Sequence, residues 1–244
     1  MKMNLVLPTS EKDYIHIPNT EDYITKNLIV GGNYFDQTKL VHGNGALILT
    51  PNDSIILDFT LIKRIRGEIE LYDGKGDKIE PRESSLILDD RHAPTGNYRG
   101  ENLDAQFNKG KISFYKLENG EFISISENLH ENTLMVDKGI NLVDFVMNEN
   151  SHTSQGLPAQ DIREGDFHYY YPRKGRVARV DAGTDGAFLD CDWGPSGSDV
   201  GFVGVRAKIS TGNLKQFLEE LRDRYKVQKG NEDIVYFTRE RLVA

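Results

Sequence analysis

A single cysteine, Cys191, stands in a chain of 244 residues, which excludes an internal disulfide and any zinc site built from cysteine pairs. No apolar run approaches the ~20 residues that a membrane-spanning helix requires, so membrane insertion is not expected. Basic residues are also in short supply. Lys and Arg number 30 against 38 Asp and Glu, for a formal net charge of −8 and no long basic run. Duplex binding needs clustered cations to neutralise phosphates, so nucleic acid is not expected as a partner. The opening stretch MKMNLVLPTSEKDY turns polar too soon for a signal peptide, and the chain is expected to be soluble and made in the cytoplasm.

Catalytic signatures are missing as well. The six histidines, at 16, 42, 92, 130, 152 and 168, show neither a His-Glu-x-x-His motif nor other metal-ligand spacing. There is no Gly-x-Ser-x-Gly elbow and no phosphate loop ending in Gly-Lys-Ser/Thr. Asp73 to Glu80 alternates acids as a calcium loop does, but its Gly and distal Glu are misplaced, so it reads as a solvated turn. No cofactor is expected.

What is present is an ordinary globular composition, 38% apolar and 28% charged, enough for one large domain or two small ones. Residues 1–27 read as an extended lead-in with one short strand near Tyr14 to Ile17. Strands are expected at Leu28–Val30, Lys39–Val41, Ala46–Leu49, Ser54–Leu61, Gly67–Tyr72 and Ser84–Leu88, separated by turn residues as in a sandwich. Residues 89–110 are polar and read as a long exposed loop. Ile112–Leu117 and Glu121–Ser126 flank Asn119-Gly120, a strong hairpin signal.

Beyond residue 130 the texture changes, and a domain boundary is expected there, dividing 1–129 from 130–244. Leu134–Val136 reads as a short strand, Ile140–Val146 as a short helix, Ala159–Glu164 as a helical turn and Phe167–Tyr171 as an aromatic strand. Leu214, Phe217, Leu218, Leu221 and Tyr225 share one helical face, which predicts a helix over Asn213–Val227 with Thr211 as its N-cap. A last strand is expected at Ile234–Phe237. Tyr169-Tyr170-Tyr171 interleaves with Arg173, Lys174, Arg176 and Arg179 as in single-strand nucleic-acid grooves, but the acidic net charge favours a strand followed by a charged turn.

The stretch from Arg176 to Lys208 has the least ordinary composition. Strand-like runs bracket a segment rich in Gly, Ser, Asp and aromatics that holds both Cys191 and the only tryptophan, Trp193. Asp181, Asp185, Asp190, Asp192 and Asp199 have the chemistry to bind a divalent cation, although exposed carboxylates are more often simply solvated. The segment reads as an ordered surface whose side chains face a partner.

Gly156-Leu157-Pro158, a helical turn, an aromatic strand, this Gly/Ser/Asp loop and Gly204-Val205-Arg206 together resemble the C-type lectin fold. The version they resemble is shared by formylglycine-generating enzymes and by the variable proteins of diversity-generating retroelements. The resemblance covers roughly residues 130–208. The enzymes use a cysteine pair, which this chain lacks, and calcium-dependent lectins use Glu-Pro-Asn or Gln-Pro-Asp with Trp-Asn-Asp, which are absent. The variable proteins remain, and in them adenine-directed mutagenesis rewrites chosen codons, often those for Asn.

The resemblance implies an α+β chain with a C-type-lectin-like C-terminal domain and a β-rich, sandwich-like N-terminal region. It implies a diversified face of Val180, Asp181, Gly183, Asp185, Gly186, Phe188, Asp190, Asp192, Trp193, Gly194, Ser196, Ser198, Asp199 and Phe202. Trp193 is not reached from an Asn codon by adenine changes alone. Val177, Ala187, Leu189, Val203 and Val205 would hold the scaffold, with Arg206 pinning the loop. The expected function is recognition of a protein or cell-surface ligand by a viral or prokaryotic protein. The alternatives are a structural virion component and a metal-dependent enzyme.

Overall fold

The computed structural model describes residues 7–30, 32–93, 98–196 and 202–228. Among these residues it is a mixed α+β structure of two sheets and five α-helices. The strands are β1 (Tyr14–His16), β2 (Asp22–Thr25), β3 (Ile29–Val30), β4 (Leu47–Ile48), β5 (Tyr72–Asp73), β6 (Arg99–Asn108), β7 (Lys111–Glu118) and β8 (Glu121–Asn128). They continue as β9 (Lys138–Ile140), β10 (Phe167–Tyr170), β11 (Arg176–Gly183), β12 (Gly186–Trp193), β13 (Phe202–Val205) and β14 (Ala207–Ser210). The helices are α1 (Tyr34–Gly43), α2 (Pro51–Ile65), α3 (Pro81–His92), α4 (Leu142–Met147) and α5 (Leu214–Gln228).

The smaller sheet runs β4-β14-β2-β1-β5, and its core joins Tyr14, Ile48, Ala207 and Ile209 to Leu214, Leu218 and Leu221 of α5. The larger sheet runs β3-β13-β6-β11-β12-β10-β9, with the β7–β8 hairpin continuing from β6. Its core joins Leu103, Ala178, Val180, Leu189 and Cys191 to Ile55, Leu61, Ile62 and Ile87 of α2 and α3. Both sheets draw strands from either side of residue 130, so strand pairing does not respect the boundary expected there. No helix among the described residues is long and apolar enough to cross a membrane.

Three segments expected as strands are helical. At α2 the residues read as a turn are a start signal. The Thr50 hydroxyl accepts from the Asp53 amide at 3.2 Å, the Asp53 carboxylate accepts from the Thr50 amide at 3.0 Å, and Pro51 occupies the first turn. In α1 the Asn33 side chain caps the helix by accepting from the Asp36 amide at 3.1 Å. In α3 the side chains turned inward, Ser84, Ile87, Leu88 and Arg91, follow helical spacing. Two of those four are polar, which hid the stripe. Residues 7–129 are therefore not the expected β sandwich, since three helices lie among their strands.

The expected exposed loop at 89–110 contains the ten-residue, largely buried strand β6, placed between β13 and β11. Its polarity is matched by buried partners. Glu101 accepts from Arg91 and from Arg206, Asn102 donates to Gln37 at 2.7 Å, and Asp104 accepts from the Tyr34 hydroxyl at 2.9 Å. Arg91 also donates to Asp58 at 2.7 Å and to Ser54 at 2.5 Å. Burial alone would raise the Asp58 pKa, but Arg91 and His92 hold it down to about 2.

Several expectations hold. The hairpin forms with Asn119 at φ 51° and Gly120 at φ 82°, a two-residue turn that needs two positive φ angles. Helices α4 and α5 lie where periodicity placed them, but Asn213 rather than Thr211 caps α5, accepting from the Gln216 amide at 3.0 Å. The lead-in holds two strands, β1 and β2, instead of one. Residues 134–136 form no strand and 159–164 no helix; an isolated bridge from Thr133 to Ala159 joins the two regions. The strand expected at 234–237 lies outside the described residues.

Candidate functional site

Strands β11 and β12 form a hairpin at the heart of the larger sheet, with Gly183 opposite Gly186 and Thr184-Asp185 as its turn. Side chains alternate across a strand. Ala187, Leu189 and Cys191 of β12 enter the core beneath α2 and α3, while Phe188, Asp190 and Asp192 stand on the opposite, outer face. On β11, Ala178 and Val180 point to the core, and Arg179 and Asp181 to the outer face opposite Asp190 and Phe188. Val177 pairs with Trp193 and Arg179 with Asp190, so three steps on β12 match two on β11. This bulge brings Trp193 onto the outer face, against Arg179.

Arg179 is the centre of that face, although its side chain is only 2% exposed. Its guanidinium carbon lies 3.2 Å from the Trp193 ring centroid and 5.3 Å from that of Tyr98. Its Nε is 2.6 Å from Asp181 Oδ1, and it donates to the Tyr98 hydroxyl. Burial outweighs the attraction of Arg179 and pushes the Asp181 carboxyl up to about 6. Burial also raises the pKa of Asp190, whose carboxylate accepts from the Asp192 amide at 2.8 Å.

Around this centre lie two further groups. Phe188 stacks with His168 and Tyr170 of the neighbouring β10, at centroid distances of 5.4 and 6.1 Å. Asp192 pairs with Arg173 and, at 3.2 Å, with Arg176, and Arg173 donates to Asp137 at 2.9 Å.

The expected face therefore divides. Asp181, Phe188, Asp190, Asp192 and Trp193 meet on one side of the sheet, joined by Arg173, Arg176 and Tyr170 from the basic-aromatic segment upstream. Val180 does not belong with them. It is 5% exposed and packs in the core, because its even position on β11 faces the helices. Asp181 and Gly183 are buried too, the first beneath Arg179 and the second against the Tyr98 ring, which a Cβ at 183 would meet at 3.3 Å. Asp185 is exposed at the turn, Gly186 adopts φ +129°, and Gly194 and Ser196 follow β12. Phe202 opens β13, paired with Arg99. Ser198 and Asp199 lie outside the described residues.

Arg206 was expected to pin the loop, but its partners among the described residues lie elsewhere. It is 1% exposed and ties β13 to Glu101, to the Lys26 carbonyl at 3.2 Å and to Asp90 at 3.5 Å. Tyr98, which the sequence placed in an exposed loop, is the contributor that reading missed; an aromatic in a polar stretch was its only signal. Cys191 is fully buried, and burial raises its thiol pKa well above the ordinary value. Among the described residues no three His, Cys, Asp or Glu side chains converge as ligands of a metal ion. The arrangement supplies aromatic surface, fixed charges and hydrogen-bonding groups, which are the means of recognition. Comparison with protein-family models, with curated proteins and with solved structures finds no match.

Proposed function

We propose that this chain is a ligand-binding protein that presents the outward side chains of β12 to a protein or cell-surface ligand. The reading rests on one observation: Phe188, Asp190 and Asp192 alternate with the buried Ala187, Leu189 and Cys191. Outward side chains on such a strand can change while the core stays as it is, since surface substitutions cost little stability. Trp193 and Phe188 supply the aromatic anchors common at recognition surfaces, and the carboxylates and arginines around them set polarity.

The narrower part of the proposal is a C-type-lectin-like variable protein of a diversity-generating retroelement. On that reading the rewritten positions are 185, 188, 190, 192, 194 and 196, which face outward or lie in turns; Trp193, also outward, is not reached from an Asn codon by adenine changes alone. Val180, Asp181 and Gly183, being buried, stay constant.

Sequencing the gene across its source population tests the narrower part. Expected are changes concentrated in the outward codons, at sites where a nearby template copy carries adenine. An even spread with no template repeat removes the retroelement and leaves a fixed binding face. The broader part is tested by display of a library varied at Phe188, Asp190, Asp192 and Trp193. Recovery of folded members that differ in the partners they capture supports it. Loss of folding in most members, or capture that ignores these positions, overturns it.

A further inference from the structure

Strand β8 is the end of the β6-β7-β8 series and, among the described residues, pairs with β7 alone. It is eight residues long, and its centre, Phe122-Ile123-Ser124-Ile125-Ser126, has no charge, no proline and high strand propensity. Edge strands are ordinarily blunted by charge, proline, bulges or a covering element, because their free amides and carbonyls invite another strand. The register of β7 with β8 runs unbroken from Lys111–Asn128 to Glu118–Glu121. The hairpin is anchored, since the His42 ring of α1 stacks on Phe122 at 4.3 Å and meets Tyr115 at 4.6 Å.

The turn fixes which backbone groups are free. In a two-residue hairpin the closing pair, here Glu118 and Glu121, exchanges hydrogen bonds, and every second pair after it does the same. The amides and carbonyls of Phe122, Ser124, Ser126 and Asn128 therefore point away from β7. Consistently, the Asn128 carbonyl accepts from Gln155 Nε2 at 2.8 Å. The chain covers that end of the edge itself, and among the described residues no strand pairs with Phe122 to Ser126 on their outward side.

We propose that this open segment pairs antiparallel with the same segment of a second copy, about a two-fold axis at Ile123. An antiparallel strand is its own complement under a two-fold, so one sequence can supply both sides. Outward groups must meet outward groups, which leaves axes at Ile123, Ser124 or Ile125. An axis at Ser124 sets Glu121 opposite Glu127, a like-charge pair. An axis at Ile125 needs Asn128, whose carbonyl is already engaged. The axis at Ile123 has neither cost: Ile123 meets Ile123 of the second copy, Phe122 meets Ser124, and Glu121 meets Ile125.

The test is sedimentation velocity of the full chain across the micromolar range, with two variants that act differently. Ser124→Pro removes an outward amide. Ile123→Glu leaves the backbone whole and places its carboxylate beside Lys116 of its own β7, the residue it is paired with, but opposes the same carboxylate across the axis. Expected are a concentration-dependent dimer for the natural chain, a monomer for S124P and several-fold weaker association for I123E, with circular dichroism unchanged in I123E. Mild oxidation should cross-link I123C and not I125C, since Cys191 is buried. A natural chain that stays monomeric overturns the proposal, as does a dimer indifferent to both variants or cross-linking through I125C alone. In the monomeric case the edge is left to a strand of another protein.

Discussion

Arg179 sits over the Trp193 ring and within 2.6 Å of Asp181, so removing it exposes an indole and leaves a carboxylate buried without its nearest cation. Arg179→Ala is expected to cost about 3–5 kcal/mol, the range for breaking a buried pair from one side. Arg179→Lys keeps the charge but loses the planar stack and should cost less. Urea unfolding measures both, and the emission of Trp193, the sole tryptophan, should shift to the red in the alanine variant. A second buried carboxyl gives a pH signature. Burial pushes Asp104 up to about 7, although it accepts from the Tyr115 amide and the Tyr34 hydroxyl. An unfolded chain loses that proton near pH 4, so the contribution of Asp104 to stability is full below that value and is lost as pH rises toward 7. Asp104→Asn removes the dependence. The variant is expected to gain on the natural chain between pH 4 and 7, by roughly 4 kcal/mol at most, and then to hold that lead. A lead that does not change with pH would show that Asp104 titrates normally.

The elements most legible in the sequence were those governed by local rules. Asn119-Gly120 announced the β7–β8 hairpin, and the leucine spacing of 214, 218 and 221 announced α5. The resemblance set Phe188, Asp190 and Asp192 apart from Ala187 and Leu189, but their segment read as a loop and not as the strand β12. Illegible were elements whose character is set by distant partners: β6 looks like a loop until Arg91, Arg206, Gln37 and Tyr34 are brought against it. The bulge that turns Trp193 toward Arg179 depends on pairing with β11 and leaves no trace in the sequence of β12. At α2 the signal was present but ambiguous, since Thr50-Pro51-Asn52-Asp53 suits a turn as well as a capping box. Thr50→Ala should cost about 1 kcal/mol by denaturant titration. Gly156 abuts the same helix end. A Cβ there would lie 2.2 Å from the Asn52 nitrogen, and the residue holds φ +73°. Gly156→Ala is expected to destabilise by roughly 2–4 kcal/mol, and an effect below that of Thr50→Ala would show that the helix end can yield.

At the scale of the whole molecule, the two sheets are woven from strands that range over residues 14–210. β14 enters the smaller sheet between β4 and β2, and β6 enters the larger one between β13 and β11. A fragment beginning at residue 130 lacks β6 and breaks that order. It is therefore expected to give a heteronuclear NMR spectrum of narrow dispersion, whereas a well-dispersed spectrum would restore a boundary at 130. The weave also bears on how the chain is born. β6 leaves the ribosome well before β11 and β13, and at ~5–20 residues per second that interval lasts on the order of seconds. An apolar central strand would spend those seconds as a sticky edge. Glu101, Asn102 and Asp104, which made the segment look like a loop, keep it wetted until its late neighbours arrive, and replacing them together with apolar residues should convert soluble product into inclusion bodies.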